Sequence, residues 1–417
     1  MKITFLLPCC IAKFIEDMIM NRRKRKRVLL WSSVIAMVVV VLAVMTVREV
    51  LLVSSFLCTT SDVINNHITA LCADVGQDKD QKLCQELCVK DVASRVTCHT
   101  LHFNKAAVFT LTSQDSSKKV VKSVIDAAER EVAVDGIQDE LDDLYWNQKF
   151  EQQHIPSKED FFTLVTTYVN NFVGSEVSWE VISKLVNYSH LYSTATESPA
   201  NHQSFGKLIQ DHEFLTSVVF EELHLFPKIT GICGSYYAVE YFEPLTRNPM
   251  QPFTMTWRNR LWKALDILKY IGQLETVGRE PIHLCDVKHD HFGWDKGDRL
   301  AFLDLDSVLY ESSLLKMMEN TPYCSNHEDC SYFDCKSRCH HRTNRCEMER
   351  SNTNLQVICD KIFLGNTDSL LSLYGLLVSS ERTEDLEEAL ELCRTNRGMT
   401  VDNMVDILSR ASNALLF

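Results

Sequence analysis

Apolar residues along this chain fall into three kinds of run, each predicting a different element. Residues 28–47 are 20 positions without a charge, long enough to cross the roughly 30 Å hydrocarbon core of a bilayer as a helix. Their uniform, valine-rich character lacks the polar face of a buried surface helix. Short apolar runs broken by polar turns predict strands. Residues 106–111 and 120–121 flank a polar turn at 113–119, with Lys122 ending the second strand, and 229–242 alternates around Gly231 and Gly234 to give two more. Spacings of three and four predict helices. Phe205, Leu208, Ile209, Leu215 and Val219 form one stripe over 204–225, with Glu213 beside it; Leu261, Leu265, Leu268 and Ile271 form another over 257–277. Two strands then bracket a turn at 295–298, and helices at 384–394 and 401–415 complete the chain. Residues 125–200 are acidic and helix-like, whereas 58–100 show little helical periodicity and read as a cysteine-stapled segment without its own core.

Charge assigns sides to the apolar run. Residues 1–27 carry eight basic and two acidic residues, so against a whole-chain charge of −13 the remainder carries −19. Six consecutive basic residues, 22–27, precede the run, and the positive-inside rule places them in the cytosol and the main body across the membrane. The expected organisation is a cytosolic basic tail (1–27), a type II signal anchor (28–47) and a body beyond it. An acidic body offers no basic stripe for phosphate neutralisation, which excludes nucleic acid.

Cysteine usage points the same way. Of 16 cysteines, 14 lie beyond the anchor: Cys58, Cys72, Cys84, Cys88 and Cys98; Cys324, Cys330, Cys335, Cys339, Cys346 and Cys359; and the dispersed Cys233, Cys285 and Cys393. That density reads as a disulfide framework of undetermined pairing in an oxidising, secretory-pathway compartment. Asn187 opens the one N-glycosylation sequon. The stretch Cys335 to Cys346, with His340 and His341, lacks the paired two-residue gaps of zinc sites, and the acidic stretch 125–200 has no EF-hand loop. Neither zinc nor calcium is favoured.

The chemistry concentrates where an apolar strand runs into Asp286-Val-Lys288 and a second one ends at Asp304-Leu-Asp306, 18 residues later. That arrangement resembles the catalytic hairpin of protein kinases. The upstream order of strand pair, helix, strand pair and long helix resembles a kinase small lobe and the start of the large lobe. Together with Cys72, Cys84, Cys88 and Cys98, the segment Asp211 to Leu215, Leu284-Cys-Asp286 and the set from Cys324 to Cys346, nearly the whole chain resembles the divergent protein kinase domain 1 family, cysteine-rich type II membrane proteins of the endoplasmic reticulum.

The resemblance implies an α+β, two-lobed kinase-like fold. It comprises a disulfide-rich segment at 58–100, a small lobe at 101–243 with a helical insert at about 125–203, and a large lobe at 244–417 holding a second cysteine cluster at 324–359. Lys122 and Glu213 would contact the nucleotide, Asp286 and Lys288 would act on the transferring group, and Asp304 would hold magnesium, with Asp306 and His291 as further candidates. The substrates implied are ATP and a hydroxyl of a secretory-pathway protein or glycan.

Three departures weaken the implied chemistry. No glycine lies between Cys98 and Lys122, His291 stands five residues after Asp286 where kinases place a metal-binding asparagine, and no glycine follows Asp304 in its triplet. These departures keep two alternatives open: a catalytically inactive binding module, and a disulfide-rich ectodomain without a nucleotide site.

Overall fold

The structure, a computed structural model, describes residues 61–74, 81–89, 92–98, 105–124, 157–188, 199–246, 253–321, 323–365, 374–395 and 397–414. The basic tail, the apolar run 28–47 and Cys58 lie outside the described residues, among which no helix is long and apolar enough to cross a membrane.

Five antiparallel strands form the first sheet: β1 (Val96–Cys98), β2 (Lys105–Thr112), β3 (Lys118–Val124), β4 (Ile229–Cys233) and β5 (Tyr236–Glu240), in spatial order β1-β2-β3-β5-β4. The apolar run expected at 106–111 extends to Lys105, and β3 continues two residues beyond Lys122, which is therefore inside the strand. The sheet shares one apolar core with the helices Lys158–Val173, Trp179–Tyr188, Pro199–Gln210 and His212–Val219, through Val124, Ile232 and Tyr237 on its side and Phe161, Ile182 and Phe214 on theirs. The stripe over 204–225 is two helices. Asp211 interrupts it and caps the second, its side chain accepting from the Phe214 amide at 2.8 Å; this satisfies a donor that a helix start leaves open.

The segment 58–100 departs most from expectation. It contains the helices Ser61–Asp74 and Lys82–Leu87, and its last strand, β1, pairs with β2. Ser61–Asp74 buries Ile64, Ile68 and Leu71 at helical spacing, a pattern the sequence reading passed over, whereas Lys82–Leu87 is too short to show a period and buries Leu83, Cys84 and Leu87 against another element. Cys84 is bonded to Cys233 on β4, and Gly231 on the same strand leaves room for Leu83, whose Cβ would stand 3.1 Å from a Cβ placed there. Glu86 reaches the β2–β3 hairpin, accepting from Ser113 Oγ at 3.0 Å and pairing with Lys119 at 2.9 Å.

A second core surrounds the helix Trp257–Thr276, whose Leu261, Ala264, Ile267, Leu268, Ile271 and Leu274 are buried; Leu265 is only partly buried, Ile267 holding the inward position. β6 (Glu243–Pro244) precedes this helix, and β7 (Ile282–Leu284), β8 (Phe292–Trp294), β9 (Leu300–Phe302) and β10 (Val308–Tyr310) follow it. They are nested: β8 and β9 close the turn at Asp295, while β7 pairs with β10 outside them, Leu284 opposite Val308. The helices Asn354–Val357, Glu384–Arg394 and Val401–Asn413 complete this core.

Six disulfides form among the described residues: Cys72–Cys88, Cys84–Cys233, Cys285–Cys335, Cys324–Cys339, Cys330–Cys346 and Cys359–Cys393. The cysteines with metal-like spacing are thus cystines rather than thiolates.

Candidate functional site

Two groups of charged side chains meet where the first sheet faces the nested strands. In the first, Lys122 lies inside β3, between Val108 of β2 and Tyr237 of β5. The Asp211 cap starts the helix His212–Val219 so that Glu213, in its first turn, is buried facing β3. Lys122 Nζ pairs with Glu213 Oε1 and lies 3.4 Å from the carbonyl of Leu303, the residue before Asp304. A strand, a helix and the end of the second hairpin are joined through one ammonium group.

Lys105 completes this group, and sequence reasoning missed it. At the start of β2, its Nζ lies 2.6 Å from Asp211 Oδ2, 3.5 Å from Glu213 Oε2 and 3.2 Å from Asp306 Oδ1. Tyr237 adds a hydroxyl that donates to Asp211 Oδ1 at 3.1 Å. Burial opposes the Lys105 charge, but Asp211, Asp306 and Glu213 outweigh it and hold its pKa above the ordinary lysine value. Burial likewise works against Asp306, and Lys105 and Lys122 reverse it, holding that carboxyl below its usual range. Glu213 goes the other way: burial pushes it up to about 7, with Lys122 and Lys105 opposing the shift. A Lys at the edge of an apolar run looks like a flanking surface charge. The available signal was Asp211 ahead of a helix, a capping position that fixes which acids turn inward.

The second group surrounds Asp286. Lys288 Nζ lies 2.8 Å from Asp286 Oδ2 and is half exposed. His291 Nδ1 is 2.9 Å from the Asp286 carbonyl, and its Nε2 is 3.2 Å from Asp304 Oδ2. The loop is held from outside by the second cysteine cluster. Cys285 is bonded to Cys335, the Asp334 amide donates to the Cys285 carbonyl at 2.6 Å, and Asp334 Oδ2 accepts from the Val287 amide at 2.7 Å. Lys361 pairs with the same Asp334 at 2.7 Å, fixing its carboxylate. The cluster therefore positions Asp286, a role its sequence spacing did not suggest.

Two sets of donors lie close enough to share a divalent cation: Glu213 with Asp304 and Asp306, and Asp286 with His291 and Asp304, in each case one atom per residue within 4.8 Å of the others. The all-oxygen set fits magnesium by donor type, but Lys105 and Lys122 already compensate two of its three carboxylates. Asp304 belongs to both sets. Asn187 stands apart, exposed near the end of the helix Trp179–Tyr188.

Comparison with known proteins bears on this architecture. Residues 22–188 match the family model described as "N-term cysteine-rich ER, FAM69", and residues 206–396 match "Protein-kinase domain of FAM69". Among solved structures, vaccinia related kinase 3 is similar over 52% of this chain and 47% of its own, at 12% identity and a TM-score of 0.23, so the chain spans about half of that structure's length. With a kinase-like body, six disulfides among its described residues and both family models side by side along it, the chain belongs to the FAM69 family of divergent protein kinases with a cysteine-rich N-terminal region.

Proposed function

We propose that this protein is anchored in the endoplasmic reticulum membrane by residues 28–47, with the kinase-like body in the lumen. There it binds ATP with a divalent cation and transfers the terminal phosphoryl group to a hydroxyl of a secretory-pathway protein or glycan. The observation that carries this reading is the buried Lys122–Glu213 pair, set against the Leu303 carbonyl beside Asp304, with Asp286 across the same space. A lysine so placed presents its charge to nucleotide phosphates and is kept in position by the glutamate. The basic residues 22–27, the disulfides and the ER description of the matched N-terminal region support the luminal assignment.

In the transfer step the acceptor oxygen bonds to the terminal phosphorus. The bridging oxygen leaves on ADP with the electron pair, and the acceptor proton passes to the Asp286 carboxylate and then to solvent. Lys288, half exposed beside Asp286, is free to turn toward the charge that develops on the transferring oxygens. Asp304 would hold a divalent cation, magnesium being the ion the kinase pattern implies, and the ion would supply charge neutralisation at the phosphates.

A second reading, a nucleotide-binding module without transfer, is favoured by His291 at the expected asparagine position and by the lack of glycine between Cys98 and Lys122. Thermal unfolding of the full-length chain, purified with disulfides intact, separates the possibilities. Magnesium–ATP or manganese–ATP at 100 times its dissociation constant should stabilise the fold by about 2.7 kcal/mol, and Asp304→Ala should remove the shift. Absence of any shift in the folded wild type would refute both readings. A shift without phosphate transfer to a mixture of secretory proteins and glycans would select the second.

A further inference from the structure

We propose that Asp286, His291 and Asp304 form a site selective for a first-row transition dication, manganese in particular, over magnesium. The inference rests on the nucleotide-site reading above for its purpose, though not for its geometry. A carbonyl oxygen only accepts, so the 2.9 Å contact to the Asp286 carbonyl requires His291 Nδ1 to carry a hydrogen. The coordinating lone pair of the neutral ring is then on Nε2, the atom that faces Asp304. Metal-bound histidines are oriented in this way, by donating their other ring N–H to a carbonyl or carboxylate. The ring is nearly buried and is wedged edge-on against Phe302, with ring centroids 5.5 Å apart.

The spacing suits shared coordination. Two ligand atoms about 2.1–2.2 Å from one ion and at right angles to it stand about 3.0 Å apart, and His291 Nε2 and Asp304 Oδ2 are 3.2 Å apart. Asp286 offers a carboxylate oxygen within 4.8 Å of both. Its contact with Lys288 is no bar, since that lysine is half exposed and able to move to a phosphate.

Donor chemistry selects the ion. Magnesium takes oxygen donors and dehydrates reluctantly, so replacing an amide oxygen by an imidazole disfavours it. One imidazole favours first-row transition dications, and two carboxylates with room for phosphate oxygens suit manganese among them. The histidine that breaks the kinase pattern thereby changes the preferred ion.

The test is manganese binding to the full-length chain without nucleotide, followed by electron paramagnetic resonance and by competition with magnesium. Wild type should bind manganese with spin-echo modulation from a directly bonded nitrogen. His291→Asn should lose that modulation, and its preference for manganese over magnesium should fall about tenfold or more. Bound manganese without nitrogen coupling, coupling that persists in His291→Asn, or no binding at millimolar manganese would overturn the inference. If that variant does not fold, Asp304→Asn takes its place: manganese affinity and nitrogen coupling both unchanged there would overturn the inference, and loss of either would support it. Nucleotide-dependent stabilisation without nitrogen coupling would sink this inference and spare the proposed function, whereas nitrogen coupling in a protein indifferent to nucleotide would do the reverse.

Discussion

Lys105 and Asp306 stand at two places where the chain leaves the kinase pattern, and they face each other at 3.2 Å. One opens β2 after a connection without glycine; the other takes the place of the glycine expected two residues beyond the metal aspartate. The pair makes the two departures interdependent, because Lys105 is buried, Asp306 is largely so, and each charge needs the other. Lys105→Met should therefore destabilise the fold by about 3–5 kcal/mol, leaving Asp211, Glu213 and Asp306 short of one cation. Adding Asp306→Asn should recover part of that loss, a coupling of about 1–3 kcal/mol in a double-mutant cycle read by chemical denaturation. Strict additivity would mean that the two side chains do not support one another. The same contact bears on the expectation that Asp306 is a metal ligand: its Oδ1 is turned to an ammonium group.

At the scale of elements, the tightest constraint is on β8. A Cβ on Gly293 would stand 2.8 Å from Leu303 Cδ1 and 2.8 Å from Phe242 Cβ, so this strand has room only for glycine. Leu303 offers its carbonyl to Lys122 and precedes Asp304, so crowding at β8 is passed directly to the site. Gly293→Ala should lower stability by about 1–3 kcal/mol and shrink the nucleotide-dependent thermal shift; an unchanged melting profile would show that the nested strands can part to admit the methyl group. Much of this layout is legible from sequence. The order of strands and helices and the Asp286 and Asp304 ends follow from local periodicity and spacing, whereas the candidates Lys122 and Glu213 follow only from the resemblance to the kinase family; those two do meet in the fold. The illegible parts depend on tertiary placement. The nesting of β7 with β10 around β8 and β9 joins residues that a local hairpin would keep apart. The helix Lys82–Leu87 is too short for a helical period to stand out, whereas Ser61–Asp74 does carry one in Ile64, Ile68 and Leu71, a signal that the dense cysteines around it obscured.

Across the whole molecule, each half of the body is tied to a cystine-bearing segment. Cys285–Cys335 secures the Asp286 loop to the second cluster, and Cys84–Cys233 secures the N-terminal segment to β4 across 149 residues of sequence. Closing so long a loop restricts the unfolded chain strongly, by about 4–5 kcal/mol in the loop-entropy account. The double substitution Cys84→Ser with Cys233→Ser should lower stability by an amount of that order in chemical denaturation, whereas a negligible change would mean that packing of Leu83 and the Glu86 contacts alone hold the segment. The long bridge also sets a timetable. Cys84 emerges from the ribosome 149 residues before Cys233, roughly 7–30 s earlier at ordinary rates of synthesis. Through most of that interval Cys58, Cys72, Cys88 and Cys98 have emerged as well, and each of the four is a wrong partner for Cys84. A newborn chain must therefore keep Cys84 unpaired, or have it released by an isomerase, until β4 arrives, which makes biogenesis of this protein sensitive to the oxidoreductases it meets on the way.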